Sequence, residues 1–474
     1  DPVNSPLPPF IKSSSTAATD EFEDIGFDSG WNNGDLVDAN RDGNVDLGFT
    51  EYRALWGGVI LLGSAPASNG NFDTGSSELI GTTDVDGTPD TNDDLDNYTE
   101  GFVEGIAQAV AGERGIYGGY NPNDSSGAMS HVSIRHGGEV IGAANEINGL
   151  TMGGVGFGTL IEFIEIYCNE DDGFEWFGGT VNTRYLLSLY NNDDSFDIDE
   201  GFTGLGQFWF TIKADDGRNG DHAGEHDGTD ANNDSLNVFG FDGDGVAGND
   251  ADGTGDDGGG FPLAYPTIYN ATYIGAGLEA GAEDAGNGDA FRMRDSFAAN
   301  YANSIFSDFA GDAIRVDEDS YSRWVFSQNP DNIPTGFQWN NNTFWNFEGR
   351  DDDGVYESFT GSNWIEPGNL SYPATFPVVA LQSVQFGHEI LNNLGPNFSG
   401  NQTDTDPFSI RRLAAPTAKF DRRTGLDPRP TVFANPTFSS TFPTTATFFV
   451  EADYRGAFDA GTAFNSLIGQ TLWT

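Results

Sequence analysis

Apolar and polar residues alternate in short runs along much of this chain. Ile164-Glu165-Ile166-Tyr167 and Leu187-Ser188-Leu189-Tyr190 each read as a strand, with Ile164, Ile166, Leu187 and Leu189 expected inside and Glu165 and Ser188 outside. An acidic corner follows each run. The first is Asn169-Glu170-Asp171-Asp172-Gly173-Phe174-Glu175-Trp176, the second Asn191-Asn192-Asp193-Asp194-Ser195-Phe196-Asp197-Ile198, 22 residues on. A strand, a corner and a second strand at this period predict one coil of a solenoid. Stacked coils bury one continuous interior, in which Phe174 is expected near Phe196 with strands about 4.8 Å apart.

A second repeat supports the same reading. Gly288-Asp289-Ala290-Phe291-Arg292-Met293 matches Gly311-Asp312-Ala313-Ile314-Arg315-Val316 at an offset of 23 residues. Phe174, Trp176, Phe196, Phe291 and Ile314 hold equivalent places, so they are expected to stack inside; a sugar-binding stripe would need the aromatic ones exposed. Further strands are expected at 56–63, from 131–135 through Phe210, at 267–274, 377–381, 431–434 and 446–451, and one helix at 98–111. Residues 1–50 read as a Pro-rich extended arm and an acidic loop. Residues 51–474 read as the solenoid, with acidic Gly/Asp-rich loop insertions at about 68–127 and 214–260.

The string Trp56-Gly57-Gly58-Val59-Ile60-Leu61-Leu62-Gly63-Ser64-Ala65-Pro66 resembles a phrase of exported bacterial right-handed parallel β-helix proteins of the Bacteroidetes type. The likeness returns at Asn148–Gly156, at Asp171–Asn182, at Asp193–Gly201, at Pro266–Asn270 and at Asp453–Phe458. It covers about 51–210 well and the rest in patches. The resemblance implies an all-β, right-handed parallel β-helix and secretion; it implies no activity. The chain departs from the pattern before Trp56, where the Pro-rich arm stands in place of early coils.

Composition narrows the function. There are 74 acidic residues against 20 basic ones, and Lys occurs at Lys12, Lys213 and Lys419 alone. Nucleic acid and anionic lipid need a basic surface, so both are excluded as partners. A high-salt habitat and dense binding of divalent cations each account for the acidity. Phe is abundant, with 38 residues, enough to fill a narrow interior despite a hydrophobic content of 37%. No run is long enough to span a membrane. Asp1 in place of Met predicts a mature form whose export signal has been removed. Cys168, the single cysteine, is expected to be a small buried apolar residue.

The strongest local metal motif is Asp38-Ala39-Asn40-Arg41-Asp42-Gly43-Asn44-Val45-Asp46. Asp38, Asn40, Asp42 and Asp46 fall on alternate positions of a calcium-type loop, and Asn44 supplies a carbonyl. The closing acid is missing, because position 12 is Phe49; Glu51 is the candidate substitute. A second candidate combines Asp242, Asp244, Asn249, Asp250 and Asp252; a third combines Asp84, Asp86 and Asp90. Ordinary Asp-Gly turns explain the same residues without a metal. His222-Ala223-Gly224-Glu225-His226 fits the pattern of inverted zinc peptidases, but that chemistry needs a helix and the motif lies among Gly and Asp. His131 and His136 are expected to be structural. The paired acids Asp171/Asp172, Asp193/Asp194 and Asp197/Asp199/Glu200 suit sugar hydrolysis, and Arg292, Arg294 and Arg315 are the clustered bases a lyase would use. Repetition of the acids from coil to coil favours corners that hydrogen-bond their own turns.

The sequence therefore predicts an extracellular or cell-surface structural protein without catalytic residues, stabilised by Ca²⁺. Its expected partner is itself, in a filament or layer, with surface glycans as a second partner if it is an adhesin. The alternative is a polysaccharide-active hydrolase or lyase.

Overall fold

A computed structural model describes residues 36–37, 46–47, 53–68, 100–103, 115–139, 147–213, 221–228, 262, 264–276, 288–294, 297–311, 313–316, 338–347, 365–367, 407–408, 429–430, 448–452 and 454–459. The regular elements among them are strands. Two parallel sheets carry the fold, and the chain alternates between them. The first sheet stacks Ala128–Arg135, Leu160–Tyr167, Thr183–Leu189 and Leu205–Ile212. In later coils each strand of this sheet is split in two along the chain, into Thr267–Tyr269 and Thr272–Ile274, Asn300–Ala302 and Ile305–Phe309, and Gln338–Asn340 and Thr343–Phe347, each piece pairing with its equivalent in the next coil. The second stacks Val59–Leu62, Leu150–Gly153, Phe174–Phe177, Phe196–Asp199, Gly224–Asp227, Phe291–Arg294, Ile314–Val316 and Ile365–Pro367. This is the expected parallel β-helix.

The interior is aromatic. Phe174, Trp176, Phe196, Phe291 and Ile314 are fully buried in one cluster. Phe174 stacks on Phe196 with ring centroids 5.6 Å apart, and Trp176 on Trp209 at 4.8 Å. Strand spacing brings the equivalent Phe174 and Phe196 of successive coils into contact, whereas Trp176 and Trp209 meet across the interior from the two sheets; each offset ring pair adds about 0.5–1.5 kcal/mol beyond its buried area.

The register of one coil differs from expectation by a single residue. Ile164 pairs with Leu186 and Ile166 with Ser188, while Glu165 pairs with Leu187 and Tyr167 with Leu189. Leu186 thus joins the interior with Ile164 and Ile166, and Leu187 and Leu189 face out with Glu165. The offset is 22 in the strands as in the corners, and a one-residue slip exchanges the two faces. Ser188 tolerates full burial because its hydroxyl accepts a hydrogen bond from Asn191 Nδ2 at 2.7 Å.

Other departures are local. The helix expected at 98–111 is replaced over Glu100–Phe102 by a strand antiparallel to Ile116–Gly118; Gly101 faces Tyr117 there and weakens helix propensity. The strand expected at 267–274 is broken at Asn270, which has φ 57°. Residues 448–449, expected in a strand, form a turn. The strands expected at 377–381 and 431–434 lie outside the described residues. So do Asp38, Asn40, Asp42, Asn44, Asp242, Asp244, Asn249, Asp250 and Asp252, and the side chain of Asp46, whose backbone begins a short strand paired with Leu36–Val37.

A column of left-handed residues runs down the first sheet. His131, Phe163, Tyr185, Phe208, Asn270, Asn303 and Asn341 all have φ between 55° and 60°. The strand registers on either side put them in one row. Such a residue bends each coil at the same place. Asn tolerates this conformation through its short polar side chain, whereas an aromatic residue does not. In the early coils the ring stack compensates: His131–Phe163 at 4.5 Å, Phe163–Tyr185 at 4.4 Å and Tyr185–Phe208 at 5.0 Å. Beyond them, residues of a late segment cover the sheet's outer face. Phe408, Ala452, Ala457 and Phe458 bury Tyr167, Leu189, Phe210 and Ile212 in a second apolar layer.

Candidate functional site

The corner leading into the second sheet gathers the chain's densest described acids. Counting back from the paired strands, Asn148, Asp172, Asp194, His222 and Asp289 occupy one row, and Asp171, Asp193 and Asp221 the row before it. Hydrogen bonds tie coil to coil along these rows. Asp172 Oδ1 accepts the backbone N–H of Asp194 at 2.9 Å, and Asp194 Oδ1 accepts that of His222 at 2.5 Å. Asn191 Oδ1 accepts the N–H of Asn169 at 2.8 Å. Gly173 is required here, since a Cβ would run into Ser188 Oγ and Asn191 Nδ2.

Two cations line the same corner. Arg53 donates to Asn192 Oδ1 at 2.9 Å and to the carbonyl of Tyr190 at 2.8 Å. Lys213, fully buried, donates to the carbonyls of Asp193 and of His222. Burial pushes the Lys213 ammonium down, against the pull of Asp194, Asp193, Asp221 and Asp172.

Three groups have ligand atoms within 4.8 Å of one another: Asp194, Asp221 and His222; Asp171, Asp172 and Asp193; and Asp172, Glu175 and Asp197. Burial, then repulsion among neighbouring carboxylates, raises Asp172 and Asp197 well above the usual range. Burial and Asp221 lift Asp193 to about 6. Burial alone would push His222 down, but Asp221 and Asp194 overcome it and bring the imidazole to about 10.

The outward row of the second sheet starts beside this corner. Thr151, Glu175, Asp197, Glu225 and Arg292 follow one another in register, and the backbone of Arg315 continues the row. Asn148 Nδ2 donates to Glu175 Oε2, and Arg292 Nη1 lies 3.3 Å from Glu225 Oε1. Carboxylates thus give way to arginine along one face. Arg294 follows Arg292 by two positions, so the expected arginine cluster has its backbone on this sheet.

The zinc-peptidase pattern does not form its site. His222 lies on the corner and His226 on the strand Gly224–Asp227, where no helical turn brings them to one face. His226 turns into the core, with Nε2 2.7 Å from Tyr301 Oη and Nδ1 2.6 Å from its neighbour's carbonyl. Asp199 Oδ1 accepts the N–H of Glu200, and Tyr117 Oη donates to Glu200 Oε2 at 2.6 Å, so these acids serve the fold. His136 and Cys168 are buried, as expected; His131 stacks on Phe163. Lys213 and Asp221 carried no sequence signal of their own. They lie on either side of residues 214–220, and the fold alone places them beside Asp194.

No helix among the described residues is long and apolar enough to cross a membrane. Residues 49–241 match the family model of a pectate-lyase like beta helix domain. No curated protein and no solved structure matches the chain. The family match supports a β-helix protein family and agrees with the stacked parallel sheets.

Proposed function

We propose that the chain is a non-catalytic extracellular scaffold, a β-helix tied along its acidic corner by divalent cations such as calcium and assembling with copies of itself. The structural use of the corner acids supports this reading most. Asp172 and Asp194 each hold the backbone of the next coil, a role repeated along the stack, whereas a catalytic acid is needed once. Buried carboxylates this close repel unless protonated or bridged, and calcium takes oxygen ligands from several chain positions at once. Among the described residues Ala128–Arg135 is the last strand of the first sheet, and His131 and Ser133 on it are exposed, which offers assembly an edge. Thermal melts with calcium and with excess chelator test the ties, and sedimentation in high salt tests assembly. A melting temperature indifferent to both additions sinks the cation-tied scaffold; a monomer at every salt and calcium concentration sinks the assembly.

A polysaccharide-active role is the second reading. The Glu225–Arg292 pair beside Asp197 and the pectate-lyase-like match favour it. Incubation with uronate-containing and neutral glycans, read by new reducing ends or unsaturated products, decides between the two. Turnover that Arg292→Ala removes without lowering the melting temperature replaces the scaffold with an enzyme.

A further inference from the structure

We propose that Asp194, Asp221 and His222 bind one divalent transition-metal ion of the zinc class, at a site distinct in chemistry from the calcium ties. His222 Nδ1 lies 3.2 Å from Asp194 Oδ1 and 3.1 Å from Asp221 Oδ1. An ion bonded to both donors at about 2.1 Å, at angles between octahedral and tetrahedral, sets them about 3.0–3.4 Å apart. The observed separations fall in that interval.

The imidazole supplies the independent observation. His222 is fully buried, and neither ring nitrogen has an acceptor or donor in line with it. Its Nδ1 lies at ion-pair distance from both carboxylates, neither of them in line for a hydrogen bond, and its Nε2 has no partner. A proton on Nδ1 meets both carboxylates off line, and an ion in its place bonds the nitrogen and both carboxylates directly. The row explains the position: where the neighbouring coils carry Asp194 and Asp289, this coil carries His222. That single exchange turns an all-oxygen ladder into a mixed nitrogen and oxygen donor set.

The surroundings suit such an ion. The amide of His222 donates to Asp194 Oδ1 and fixes that carboxylate, as outer hydrogen bonds do for metal ligands. Lys213 acts nearby, yet Asp172, Asp193, Asp194 and Asp221 all bear on it, so negative charge remains in excess. The Asp221 side chain is 29% exposed while Asp194 and His222 are closed off, which leaves an entry on the Asp221 side. Calcium and magnesium prefer oxygen donors; an imidazole beside two carboxylates selects zinc, cobalt or nickel.

The test uses the full chain, stripped by chelator and loaded with one equivalent of zinc in a large excess of calcium. X-ray absorption should show scattering from one imidazole, and cobalt in place of zinc should give a visible d–d spectrum. His222→Gln should abolish the imidazole signal. Asp221→Asn, at the exposed rim where folding is less at risk, should weaken zinc binding by about tenfold or more. Displacement of zinc by calcium, an all-oxygen shell, an imidazole signal that survives His222→Gln, or unchanged affinity in Asp221→Asn would each overturn the proposal. The melts with calcium remain a separate readout, so loss of this site leaves the scaffold reading standing and the reverse also holds.

Discussion

Asp172 Oδ1 accepts the backbone N–H of Asp194 at 2.9 Å, across 22 residues and one coil. Both residues are buried, so that amide has no water to replace the carboxylate. Asp172→Ala is expected to cost about 1–3 kcal/mol, the usual penalty for an orphaned buried donor. Asp172→Asn keeps an oxygen acceptor and removes a charge from a crowded corner, so in calcium-free buffer it should cost clearly less. Urea melts of the two variants check this, and equal losses would show that the hydrogen bond is not what the corner needs.

Phe196 touches four rings, Phe174 at 5.6 Å, Trp209 at 5.0 Å, Tyr273 at 5.2 Å and Trp176 at 6.4 Å. Neighbouring strands on both sheets fix this interior and allow little collapse. Phe196→Ala should therefore lose about 3–5 kcal/mol, with Phe196→Leu losing much less. Intrinsic tryptophan fluorescence, to which Trp176 and Trp209 beside this ring contribute, follows the transition during denaturation.

The corners were legible because two of them are nearly identical in sequence, and coil stacking demands that repetition. The strands before them were not legible to the residue. Ile164-Glu165-Ile166-Tyr167 and Leu187-Ser188-Leu189-Tyr190 look alike, yet the true partner of Ile164 is Leu186. Alternation alone cannot choose between two registers when both faces of the sheet are apolar, as they are here beneath Phe458 and its neighbours. The left-handed row was hidden for a related reason. Phe163, Tyr185 and Phe208 are poor signals for positive φ, and only the ring stack accounts for them. Of Asp194, Asp221 and His222, the first and last stood out in sequence for other chemistry, and Asp221 did not.

That register makes its own prediction. Leu186→Ala should cost about 2–5 kcal/mol and exceed Leu187→Ala, because Leu186 is fully buried and Leu187 is not. Ser188→Ala, although it makes the interior more apolar, should cost about 1–3 kcal/mol by stranding Asn191 Nδ2. Denaturant melts of the three variants rank them. A larger loss for Leu187→Ala than for Leu186→Ala would restore the slipped register.

His226 links the fold to pH. It is fully buried among Phe291, Phe297 and Tyr301. Tyr301 Oη donates to Nε2, so the ring's own proton sits on Nδ1 and is given to the Glu225 carbonyl. Burial pushes this imidazole down to about 3; the Glu225 carbonyl and carboxylate resist the shift, and nearby His222 adds to it. A folded value below the ordinary 6.5 means that the unfolded chain binds the proton first. The neutral ring's contribution is therefore complete above pH 6.5 and is lost as pH falls towards 3, by up to about 1.4 kcal/mol per pH unit. The buried carboxylates titrate with the opposite sign, so the absolute slope of the wild type mixes several groups. The difference between wild type and His226→Gln isolates one of them. The variant should be less stable at pH 7, and its deficit should shrink as the pH is lowered from 6.5 to 4. A deficit that stays constant over that interval would mean that His226 does not titrate as its burial requires.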